Sequence, residues 1–113
     1  MVREISGDEG STPRIGPQER KMYEQEYKHS ADLFQRALKE HSASDNIFQR
    51  EEFKQVMDKA MMVLNETARE LKRQELLKQN KQIEKDYGAY QNNQNEMIVQ
   101  KLDEDLDKAK KSI

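Results

Sequence analysis

From Tyr23 onward the apolar residues Tyr23, Tyr27, Ala31, Phe34 and Leu38 recur at intervals of three or four. That spacing follows the 3.6-residue period of an α-helix, and Leu33 and Ala37 widen the stripe beyond a narrow coiled-coil seam. Upstream, Gly16-Pro17-Gln18-Glu19 reads as a helix start. Proline suits the first helical position because its missing N–H is not needed there, and an early glutamate complements the positive end of the helix dipole. The pattern predicts a first helix over residues 17–41, roughly 37 Å long at 1.5 Å per residue.

Ser42-Ala43-Ser44-Asp45 interrupts the stripe with short side chains that favour turns and caps. Asn46, with Gln49 three residues later, has the form of a capping box. The line Phe53, Met57, Ala60, Leu64, Thr67 and Leu71 then alternates steps of four and three, flanked by Val56, Met61 and Ala68. So short a linker implies that the second helix lies antiparallel to the first, with this line as their shared seam. Beyond Leu71 the phase slips, and Leu76, Leu77, Ile83 and Tyr87 follow only loosely. Arg, Lys, Gln, Glu and Leu still dominate there, so the composition predicts one continuous helix over residues 46–87.

Gly88 and the run Gln91-Asn92-Asn93-Gln94-Asn95 hold poor helix formers, which predicts a polar break over residues 88–95. Met97, Ile98, Leu102, Leu106 and Ala109 mark a last helix over residues 96–111. Its acids precede Lys108, Lys110 and Lys111, as the dipole favours. Residues 1–16 hold three of the four glycines with few apolar anchors, and read as a disordered tail. No internal repeat is evident. The expectation is an all-α chain: an antiparallel, coiled-coil-like helical hairpin over residues 17–87 with a long second helix and a short C-terminal helix.

Composition narrows what such a chain does. It has 113 residues, 37% of them charged and 34% hydrophobic, so it can bury stripes along a few helices but no thick core. The absence of cysteine removes disulfides, thiolate metal sites and cysteine nucleophiles, and points to a reducing, cytoplasmic compartment. No apolar run has the length of a signal sequence or a membrane span. Asn65-Glu66-Thr67 matches a glycosylation sequon but lies inside an amphipathic helix pattern rather than a loop.

Candidate chemistry is sparse. His29 and His41 belong to no paired motif, no HExxH or glycine-rich phosphate loop occurs, and Asp103, Glu104 and Asp105 lack the spacing of a calcium loop. Nothing marks a nucleophile around serine or threonine, so the expectation is a protein that is not an enzyme, with no cofactor and no metal. Arg69, Lys72, Arg73, Lys78, Lys81 and Lys85 form a basic stretch over residues 69–85. It has no interleaved aromatics for stacking on bases and sits in a chain of net charge -2, which argues against nucleic acid without removing it as an alternative.

Binding is the remaining class. A helix over residues 46–87 would measure roughly 63 Å against roughly 37 Å for the first, leaving its last turns uncovered. The expected function is that of an adaptor, assembly factor or small chaperone holding a partner helix. Small chaperones of bacterial secretion systems share this size and helical character, though no motif here is diagnostic of them. The expected partner-binding residues are Phe53, Met57, Met61, Leu64 and Leu71 on the seam, with Leu76, Leu77, Ile83 and Tyr87 on the overhang. Methionine at such positions adapts to varied partners. A self-assembling structural subunit is the alternative within the same class.

Overall fold

The computed structural model describes residues 16–113. They form four helices: α1 (Pro17–Ala43), α2 (Ile47–Leu71), α3 (Gln74–Asn92) and α4 (Glu96–Lys111). No strand occurs among the described residues. The tail expected over residues 1–16 lies outside them, apart from Gly16, whose backbone N–H meets the Glu19 side chain and caps α1.

Cross-helix contacts set the direction of every helix. Tyr27 meets Asn80 and His41 meets Tyr90, so α1 and α3 run parallel. Asn65 meets Glu84 and Asp58 meets Tyr87, so α2 and α3 are antiparallel. Gln35 bonds Asp103 while Asp32, three residues earlier, bonds Lys110, which sets α4 antiparallel to α1. The result is an up-down-up-down arrangement 59 Å long and 26 by 20 Å across.

The α1–α2 hairpin is the most closely packed pair. Buried Ala31 and Ala37 on α1, with Ala60 and Ala68 on α2, let the two backbones approach. Burial follows one register in both helices, thirty residues apart. Tyr27, Ser30, Ala31, Phe34, Ala37, Leu38 and His41 are buried on α1, and Met57, Ala60, Met61, Leu64, Thr67, Ala68 and Leu71 on α2. This repeat belongs to the packing and is not visible as residue identity. Asn46 starts α2 by accepting from the N–H groups of Phe48 and Gln49, at 2.9 and 3.1 Å. Only half of the expected capping box forms, because the Gln49 side chain turns to the Ser44 hydroxyl instead.

Two boundaries differ from the sequence expectation. The single helix over residues 46–87 is in fact two helices, parted at Lys72 and Arg73. Lys72 takes the left-handed conformation, with φ 54° and ψ 34°. For a residue with a Cβ that conformation costs about 1–2 kcal/mol. The cause is the phase slip itself. Leu71 and Leu76 stand five residues apart, which on an unbroken helix turns the apolar stripe by about 140°. Folding back at Lys72 lets both leucines be buried. The break expected over residues 88–95 shrinks to residues 93–95, and helix runs straight through Gly88. Tyr87 and Tyr90, buried on either side of that glycine, hold the turn in place. The overhang that motivated an uncovered second helix therefore does not exist.

Candidate interaction surface

The nine residues expected to meet a partner lie within the chain's own core or against it. Met57, Met61, Leu64, Leu71, Leu76, Ile83 and Tyr87 are buried. Phe53 and Leu77 are half-buried and pack against that core. A partner reaches this seam only by displacing a helix of the same chain.

What joins the two hairpins differs from what joins α1 to α2. Between the bodies of α1 and α2 the contact is apolar. Across to α3 and α4 it is studded with polar pairs. The Tyr27 hydroxyl donates to Asn80 at 2.9 Å, Asn80 donates in turn to Asn65, and Asn65 to Glu84 at 3.2 Å. Phe34 and Tyr87 stack edge to face with ring centroids 4.9 Å apart, and Tyr87 donates to Asp58 at 2.5 Å. Lys110 bridges Asp32 and Gln35, both at 2.7 Å, and Arg73 reaches Glu24 and the Ser112 carbonyl. Burial raises the Tyr27, Tyr87 and Tyr90 hydroxyls above their ordinary range. Of the two histidines, His29 is exposed, while His41 is buried 2.5 Å from the Tyr90 hydroxyl. Burial first, then the charges of Arg50 and Lys54, keep the imidazole neutral to lower pH than usual.

Between α3 and α4, Asp86 and Asp105 share one environment. Burial opposes ionisation of Asp86, but hydrogen bonds from Asp105, Lys101 and Gln82 outweigh it and hold its carboxyl below the usual range. Burial together with the hydrogen bond and charge of Asp86 raises Asp105 to about 6. Asp105 Oδ2 is buried without a hydrogen-bond partner, which a proton shared with Asp86 would satisfy. Asp105 borders a cleft of about 270 Å³ that Glu75, Lys78, Gln79, Gln82 and Lys108 also line. Among the described residues no three His, Cys, Asp or Glu side chains are grouped to hold a metal ion. Nor is any described helix long and apolar enough to cross a membrane. Of the basic stretch, Lys78, Lys81 and Lys85 are exposed on α3, Lys78 at the cleft, and Arg73 is held by its contacts to Glu24 and Ser112.

The free apolar surface lies elsewhere. Arg50 binds the His41 and Ser44 carbonyls and the Gln94 side chain, drawing the α1–α2 and α3–α4 loops to one end of the molecule. There, Ile47 and Phe48 on the first turn of α2 are 78% and 83% exposed, and Met97 on the first turn of α4 is 80% exposed. Sequence reasoning grouped Met97 with Ile98, Leu102, Leu106 and Ala109 as the apolar positions of the last helix and passed over Ile47 and Phe48. A signal was present: stepping back from Phe53 by three or four residues reaches Gln49 and Arg50, so both apolar residues stand off the stripe. No protein-family model, curated protein or solved structure matches the chain.

Proposed function

We propose that this chain is a non-enzymatic helical interaction protein, an adaptor, assembly factor or small chaperone, that docks a protein partner at the loop end. The observation that carries the reading is the exposure of Ile47, Phe48 and Met97 together at one end of a bundle that buries its other long apolar stripes. Each such side chain gains roughly 1.5–3 kcal/mol when a partner covers it fully. Exposed large apolar groups gathered in one place are what a binding surface offers, whereas scattered single ones need no explanation. Self-assembly through the same end is the nearest alternative.

A photo-crosslinking residue at position 48, with another at Met62 as control, tests this in the native cell extract. Met62 is also exposed, at 61%, but lies about four turns along α2 from that end. The expected result is a discrete adduct from position 48 and none from position 62, lost when Met97→Asp places a charge where desolvation is uncompensated. Circular dichroism of the variant checks that the helices remain. Equal labelling from both positions, or an adduct indifferent to Met97→Asp, refutes the docking end. An adduct of twice the chain mass assigns the surface to self-assembly.

A further inference from the structure

The connection between α2 and α3 sets local sequence against fold. Glu70-Leu71-Lys72-Arg73-Gln74-Glu75-Leu76-Leu77 consists entirely of residues that favour helix, with no glycine, proline or asparagine to end one. Yet the helix stops there, on a lysine held at φ 54°. Two further facts bear on what an open turn would do. The α1–α2 hairpin holds itself together through apolar contact, and α3 and α4 join it through the same apolar core and, in addition, through discrete polar pairs such as Tyr27–Asn80, Gln35–Asp107 and Lys110–Asp32. Discrete pairs of this kind can be remade, one for one, with the same residues of another copy.

We propose that the chain has a second form, a domain-swapped dimer. In it the Lys72–Arg73 turn opens, α2 and α3 run on as one helix, and the α3–α4 hairpin of each copy packs on the α1–α2 hairpin of the other. Contacts between the bodies of the hairpins are then conserved, only the turn and the bonds of Arg73 to Glu24 and Ser112 change, and each opened turn sheds its left-handed strain. A short connection under strain is the setting in which swapping arises. The occupant is a second copy and not an unrelated helix. On the open helix the apolar stripe rotates by about 140° between Leu71 and Leu76, and one straight partner helix cannot follow both halves. The chain's own hairpins already fit each half. This inference is independent of the docking end, whose residues stand far from the turn.

The chain has no native cysteine among its residues, so a donor and acceptor pair can be placed on Glu52→Cys and Gln91→Cys. In the closed form both sites lie at the loop end. On a continuous helix they stand about 58 Å apart. Doubly labelled chains in a large excess of unlabelled protein report only the distance within one chain. Lys72→Val, whose β-branch resists the left-handed region, should be dimeric by light scattering and lose most energy transfer. Lys72→Gly, free of that strain, should keep its transfer and dimerise on the order of tenfold more weakly than the parent chain. A valine variant that stays monomeric with transfer intact overturns the proposal, as does a dimer that keeps its transfer. Equal dimer affinity in the two variants also overturns it. If the valine variant does not fold, the parent chain refolded at high concentration replaces it: a dimer with lost transfer supports the proposal, and monomer alone refutes it.

Discussion

Asp105 shows how one proton bears on the α3–α4 contact. Its carboxyl is raised to about 6 in the folded chain, against about 3.9 for a free aspartate. The folded state thus holds a proton that the unfolded state has released. This contribution is complete below about pH 3.9 and disappears as pH rises through about 6. His41 acts in the opposite sense, because a lowered histidine stays neutral in the fold while the unfolded chain gains a proton below about pH 6.5. Asp105→Asn separates the two, since an amide donates to Asp86 at any pH. Melting temperatures of the parent chain should fall by a few degrees relative to this variant between pH 5 and pH 7.5. Parallel curves would remove the shared proton. Neither carboxylate was legible as special in the sequence, where Asp105 sits in a run of acids that reads as a solvated face. Pairing with a residue nineteen positions upstream depends on how α3 and α4 fold back. Seam residues were easier to read. Leu64→Ala should destabilise by about 2–5 kcal/mol through lost burial and a cavity. Glu66→Ala on the exposed side should stay within about 0.5 kcal/mol by denaturant unfolding. Similar losses from both would contradict the burial pattern.

At the scale of elements, starts were clearer than continuations. Pro17, Asn46 and Glu96 were expected to open helices, and each opens one to within a residue. Caps are local chemistry, written in two or three adjacent side chains. The turn at Lys72 carries no such mark, because tertiary burial of Leu71 and Leu76 overrides a helical local preference. Gly88 is the converse case: a local weak point that the tertiary fold carries through as helix. Its missing side chain serves no visible purpose, for a Cβ there meets nothing within 4 Å. Gly88→Ala should therefore stabilise the chain by about 0.5–1 kcal/mol, read as a raised melting temperature. A loss of stability would mean that the glycine has a role the bundle does not display.

For the whole molecule, the sequence carried the all-α class, while the residues it marked for a partner are covered by the chain's own helices. An apolar stripe identifies what is buried but not what covers it, so a seam that α3 and α4 cover read equally well as one awaiting another protein. The exposed apolar end proposed for docking needed the opposite signal, large apolar residues off the stripe, and it emerges only once two loops distant in sequence meet through Arg50 and Gln94. The column of rings across the bundle has a practical consequence. The chain has no tryptophan and four tyrosines, and three of them, Tyr27, Tyr87 and Tyr90, are buried where α1 faces α3. Near-ultraviolet circular dichroism, tyrosine emission and the absorbance of tyrosinate in alkali are thus dominated by that contact. Together they give an unlabelled optical gauge of whether the two hairpins are seated against each other.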